Sequence, residues 1–165
     1  MNSKTCCFIG QHPQSLPWKF NEKNEQCLKM KELLKIEIIK AIENGYTTFI
    51  SGMTLGFDMI FAEMVLELKK VYSHIKLIGA IPCKKQSKLW KEKDKQRYKS
   101  LLAQLASVRC VYDEYIGTAC MIERNHYMIN NSSLVIVLFN GKNGVIKNTL
   151  DYAKKRNIIL IVLEP

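Results

Sequence analysis

The chain reads as an α/β protein: a doubly wound, mainly parallel sheet flanked by helices on both faces. Three observations predict this. Short β-rich apolar runs alternate with helix-period segments along all 165 residues, and such alternation builds a parallel sheet covered by its crossover helices. Residues 133–139, Ser-Leu-Val-Ile-Val-Leu-Phe, are apolar on both faces, as a fully buried parallel strand must be. Glycine-rich and polar turns follow several strands, at the sheet end where such folds hold ligands.

The elements follow in order. Residues 5–9 form a first strand, and 10–19 a loop with Pro13 and Pro17. Residues 25–44 form a helix with Cys27, Met30, Leu34 and Ile38 near one face, stopped by Gly45. A second strand spans 46–51. The helix of 58–71 buries Phe61, Met64, Val65 and Leu68, and Lys69 and Lys70 suit its negative end. Residues 75–81 are a third strand. A helix over 88–106 carries Tyr98, Leu101, Leu102 and Leu105 on one stripe. Strand 108–112, helix 119–130, strand 133–139, helix 147–156 and strand 158–163 complete a single domain, 1–165.

Composition narrows the function classes. No apolar run approaches the roughly 18 residues of a membrane span, and the opening Met1-Asn2-Ser3-Lys4-Thr5 lacks the apolar stretch of a signal peptide. The expected location is therefore cytoplasmic, without membrane contact. Six cysteines without paired spacing read as reduced, mostly buried thiols and predict no metal site. The net charge of +10 keeps nucleic acid open as a partner, although only Arg97, Arg109, Arg124 and Arg156 are arginines. The lysine-rich stretch 84–99 also holds Glu92 and Asp94 and reads as a solvated face.

The candidate site lies in the loops after the strands. Ser51-Gly52-Met53-Thr54-Leu55-Gly56-Phe57-Asp58 runs from a strand end through two glycines into a helix start, the arrangement that offers free N–H groups to an anion. Its spacing is neither G-x-G-x-x-G nor a P-loop. Asp58 is expected to be an N-cap or first-turn residue of the helix, with a ribose hydroxyl as the other reading. Gly10, Gln11 and His12 follow the first strand, and Gly141 and Gly144 follow the fifth. Arg124 and Asn125 supply polar groups on a half-apolar helix; phosphate and a surface carboxylate are both open as the arginine's partner. No nucleophile–base–acid set is evident, although Glu63 sits one turn into the second helix.

Several stretches together resemble a known family. They are Cys6-Cys7-Phe8-Ile9-Gly10-Gln11-His12-Pro13, Leu16-Pro17-Trp18, the 49–58 segment, Ile81-Pro82-Cys83 with Gln86 and Trp90, Cys120-Met121 with Arg124-Asn125 and Met128, and Lys147-Asn148-Thr149 with Tyr152-Ala153. In that order they resemble the YpsA family of the SLOG superfamily, which also holds the DNA-processing protein DprA and the LOG phosphoribohydrolases. The resemblance implies a Rossmann-like domain binding a nucleotide-derived ligand, with the glycines of 51–58, Arg124 and Asn125 as ligand contacts. Two departures stand out. The family's G-H-R-P is here Gly10-Gln11-His12-Pro13, and its G-G-T is here Gly144-Val145-Ile146. Each removes a phosphate-binding group. The LOG enzymes' P-G-G-x-G-T-x-x-E is unmatched in 140–149.

The expectation is a binding or sensing module for a nucleotide-like small molecule, built on Gly10, Gln11, His12, Ser51, Gly52, Met53, Gly56, Asp58, Arg124, Asn125, Gly141 and Gly144, with no further cofactor. Two alternatives remain: a nucleotide N-glycosidase or phosphoribohydrolase, and a DprA-like binder of single-stranded nucleic acid. Self-association into a homo-oligomer is also open.

Overall fold

The computed structural model describes residues 4–165. The first three residues, part of the stretch read above as lacking a signal sequence, lie outside the described residues. The order is β1 (Lys4–Gly10), α1 (Glu25–Glu43), β2 (Tyr46–Ser51), α2 (Phe57–Lys69), β3 (Lys76–Cys83), α3 (Glu92–Leu102), β4 (Ser107–Tyr112), α4 (Thr118–Asn130), β5 (Leu134–Leu138), α5 (Val145–Lys155) and β6 (Ile159–Leu163), with a short 3-10 turn at Pro13–Ser15.

All five strand pairings are parallel, in the order β4-β3-β2-β1-β5-β6. The chain builds outward from β1 to β4, then returns to the other side of β1 to lay down β5. The strand order therefore switches direction between β1 and β5. There the loops after the two strands part and leave a crevice at their carboxyl ends.

Each face of the sheet has its own core. Phe8, Phe49 and Leu77 meet α1, α2 and α3 through Leu34, Ile38, Phe61, Val65 and Leu101. Cys7, Ile9, Ile50, Val135 and Val137 meet α4 and α5 through Met128, Ile129, Leu150 and Ala153. Phe8 and Phe61 stack at 5.1 Å. The thiols are free, and all but the half-buried Cys110 are buried, as the sequence predicts. Among the described residues no helix is long and apolar enough to cross a membrane.

The third helix is shorter than its periodicity suggests. Residues 83–90 form successive turns, with Lys88 N donating to Lys85 O (3.0 Å) and Trp90 N to Ser87 O (3.0 Å). Gln86 turns inward, and its Nε2 donates to Met53 O and Tyr98 Oη, both at 3.1 Å. At the other end Ala106 N donates to Leu77 O at 2.9 Å, so the chain has already joined the sheet.

One polar cluster ties the connection before α1 to α2 and α3. Arg97 donates through Nε and Nη2 to Glu63 (2.6 and 2.7 Å) and through Nη1 and Nη2 to Glu22 (2.6 and 3.2 Å). Burial alone would raise the Glu22 carboxyl, but Arg97 and Lys31 outweigh it and hold it below its ordinary value. A carboxylate depressed in the folded state stabilises above its unfolded pKa, and that stability is lost as pH falls through the folded value. Glu22→Gln should therefore cost about 1 kcal/mol at neutral pH. Urea unfolding at pH 7 and at pH 3 checks this: the gap between the two proteins should close in acid.

Candidate functional site

The loop between β2 and α2 is built around its own anion. Asp58, in the first turn of α2 and 4% exposed, points back toward the sheet. Its Oδ1 accepts from Gly10 N at 3.0 Å and its Oδ2 from Thr54 N at 3.3 Å. The backbone N–H groups at the strand ends, which the sequence suggests for a ligand phosphate, are thus aimed at a side-chain carboxylate. Of the two expected places, Asp58 takes the first turn, and the cap is Gly56, whose φ of +88° and ψ of −131° favour glycine. Asp58 cannot serve as the cap because the helix already includes Phe57.

Arg124 from α4 crosses to meet this carboxylate. It is 5% exposed, and its Nη1 lies 3.9 Å from Asp58 Oδ2. The same nitrogen donates to Gly52 O (2.7 Å) and Thr54 Oγ1 (3.1 Å), and Nε donates to Asn125 Oδ1 (2.8 Å). Asn125 Nδ2 passes the chain of bonds to Thr149 Oγ1 at 3.0 Å, which in turn donates to Val145 O at 2.8 Å. The loops after β2 and β5 are thereby tied through α4. Burial lifts the Asp58 carboxyl above its usual value, opposed by the Arg124 charge and the bonds from Thr54 and Gly10. Burial also lowers the Arg124 guanidinium, with Asp58 opposing.

Gly52 is glycine because of this pair. A Cβ there would collide with the Arg124 guanidinium and lie 2.7 Å from Asp58 Oδ2. Gly10 is restricted similarly, with Phe8 Cε1 at 2.9 Å and Asp58 Oδ1 at 3.0 Å from a built Cβ. Ser51 Oγ donates to Asp58 O (2.7 Å) and accepts from Met53 N (3.1 Å).

A cavity of about 270 Å³ opens above this network at the β1/β5 crossover. Of the twelve residues singled out from sequence, Gly10, Gln11, His12, Arg124, Asn125 and Gly144 line it. Ser51, Gly52, Met53 and Asp58 do not; they are buried around it and hold its walls. Gly141, at φ +80° with open space about it, forms an exposed turn closed by Lys142 N on Asn140 Oδ1. Gly56 faces elsewhere, onto a larger cavity of about 560 Å³ with Trp18, Phe20, Trp90, Lys19, Lys91 and Lys93.

The chemistry left free in the smaller cavity is specific. Arg124 Nη2 has no hydrogen-bond partner among the described residues, although the rest of the guanidinium is engaged. Gln11 Oε1 is enclosed without a donor. Lys142, Asn143, Met121, Thr54 and Leu55 complete the wall. Lys142 and Asn143 fall between two glycines already marked, which was the signal for them; Met121 stands among the residues that carry the family resemblance. His12 spends Nδ1 on Gln14 N at 3.3 Å, capping the 3-10 turn, and partial burial lowers its pKa. Glu63 lines neither cavity, being committed to Arg97.

Comparison with known proteins bears on family and fold. The family model described as the YspA SLOG family (YpsA) matches residues 6–159. A UPF0398 protein of Brevibacillus brevis is 33% identical over 125 residues, covering 75% of this chain and 66% of its own length. The SPbeta prophage-derived protein YoqJ of Bacillus subtilis is 36% identical over 146 residues, covering 81% and 85%. Among solved structures, DNA processing protein A of Helicobacter pylori, a protein with a single-stranded DNA binding mode, superposes with a TM-score of 0.69 at 19% identity, over 99% of this chain and 66% of that one. At that identity the likeness concerns the fold.

The network predicts which substitutions damage the fold itself. Arg124→Met strands the buried Asp58 charge and should cost about 3–5 kcal/mol. Gly56→Ala should cost about 1–3 kcal/mol, because its Cβ would also come within 2.5 Å of Pro13 Cγ. Denaturant unfolding of both variants checks this; wild-type midpoints would disprove the assignment of the loop's rigidity.

Proposed function

Because this chain belongs to the YpsA family of SLOG proteins, we propose that it is a binding module for a nucleotide-derived small molecule, held in the crevice at the β1/β5 crossover. The observation that carries the reading is the pair of unspent groups on one cavity wall. Arg124 Nη2 offers a fixed cationic donor for phosphate or ribose oxygen, and the Gln11 amide, whose Oε1 is enclosed without a donor, offers an acceptor for a base amino group once it turns into the cavity. Lys142 adds mobile positive charge at the rim. Asp58 takes no part in binding directly. It neutralises Arg124 within the fold and fixes the guanidinium's direction.

Two features shape the ligand. The arginine of the family's first loop is replaced by Gln11-His12, and the late loop offers Val145 and Ile146 to the cavity in place of a glycine and a hydroxyl. The crevice is more apolar and less cationic in consequence, which favours one phosphate over a polyphosphate. The hydrolase alternative gains no support, since neither Glu63 nor Asp58 lines the cavity.

The test uses substitutions that spare the buried network. Gln11→Leu and Lys142→Glu should leave the unliganded melting temperature unchanged. Against nucleoside monophosphates, NAD, ADP-ribose and cyclic nucleotides, a ligand at a hundredfold excess over Kd stabilises the wild type by about 2.7 kcal/mol. The resulting rise in melting temperature should shrink in both variants. A rise that both variants keep in full would place the ligand elsewhere.

A second reading has its own observation. Phe20 and Trp90 stand among Lys19, Lys91, Lys93 and Arg97 around the larger cavity, where these four cations outnumber the two carboxylates of Glu22 and Asp94, a mixture suited to stacking bases and neutralising phosphates of a single strand. DNA processing protein A of Helicobacter pylori, which shares this fold, binds single-stranded DNA. A labelled oligonucleotide should then bind with affinity falling steeply as salt rises, and Trp90→Ala should weaken it; a salt-independent response removes this reading.

A further inference from the structure

We propose that two copies of this chain associate across a two-fold axis by pairing their β6 strands antiparallel, joining two sheets into one. β6 ends the sheet, so its outer edge is unpaired by any described strand. Proteins usually blunt such edges with charge, proline or a bulge. Ile159–Leu163 is Ile-Leu-Ile-Val-Leu, in unbroken register with β5. None of those devices is present. Ile159 is 60% exposed and Val162 43%. The opposite edge differs: β4 carries the exposed Arg109 in mid-strand.

The hydrogen bonds fix which groups the edge offers. Ile159 N donates to Ser133 O at 3.3 Å, and Phe139 N donates to Leu163 O at 3.0 Å. In a parallel ladder alternate residues face the same neighbour, so residues 159, 161 and 163 spend their backbone groups on β5. Leu160 and Val162 therefore direct N–H and C=O outward, with the spacing an antiparallel partner needs.

Charge selects the occupant and the direction. Lys154, Lys155 and Arg156 cluster just before β6, and Glu164 follows it. All four are exposed, and none is in an ion pair among the described residues. Antiparallel pairing centred near Leu160 carries each basic cluster to the partner's Glu164. It also sets Ile159 beside the partner's Ile161, covering the apolar positions. Parallel pairing would oppose like charges. The edge is thus complementary to itself, as a two-fold interface requires.

Sedimentation velocity of the full chain, across a hundredfold range of concentration, tests this. The wild type should approach twice its 19.1 kDa mass as concentration rises. Ile159→Lys and Val162→Lys should remain monomeric with unchanged circular dichroism. Glu164→Lys should weaken association at least tenfold, and Lys155→Glu with Arg156→Glu in the same chain should restore it. The Leu160 and Val162 amides should exchange hydrogen more slowly as the dimer forms. A wild type monomeric at every concentration, or a dimer indifferent to Ile159→Lys and Val162→Lys, overturns the proposal. A dimer lost in those variants but indifferent to the charge reversals overturns the antiparallel register.

Discussion

The crevice depends on one buried ion pair. Asp58 and Arg124 come from elements far apart in sequence, yet each is almost fully enclosed and each is needed to make the other tolerable. A lone carboxylate at that depth would carry a large desolvation cost. The opposing guanidinium, the Gly10 and Thr54 amides and the positive end of α2 together offset it. The cost shows in the glycines, because backbone must come close enough for these bonds. Gly10 and Gly52 have no room for a side chain. What looks like a loop adapted to a ligand is first adapted to its own carboxylate.

This arrangement separates support from recognition. The pair, with Asn125 and Thr149, fixes the distance between the loops after β2 and β5 through α4. Gln11 and Lys142, which line the crevice outside this network, can then vary in chemistry without moving the walls. The replacements at Gln11-His12 and Val145-Ile146 fall in this outer set. The lining of the crevice can therefore change while its frame persists.

Much of the fold was legible in sequence because burial on both sheet faces leaves continuous apolar strands between periodic helices. Residues 134–138 show this best, being wholly buried. The third helix was overextended because its apolar stripe continues through Leu105, which packs on Gly79 from outside the helix. Periodicity reports which residues face the core and not which backbone carries them there. The site was legible as a set of loops but not as roles. Sequence cannot tell that Asp58 turns inward, because an aspartate in a first turn suits a solvated cap as well as a buried bond. The direction of Gly56, toward Pro13 and the larger cavity, likewise follows from packing between distant segments.

The larger cavity has an optical consequence. Trp18 and Trp90 are the chain's two tryptophans, and both line that cavity, whereas the crevice at the β1/β5 crossover contains neither. Trp18 is held against Phe57 at 5.7 Å and Trp90 against Tyr98 at 5.1 Å. The intrinsic emission of this protein is therefore a local signal. Occupation of the aromatic cavity should quench or shift it, while the crevice adjoins that cavity through Leu55, which lines both spaces. An unlabelled sample carries its own means of telling the two compartments apart.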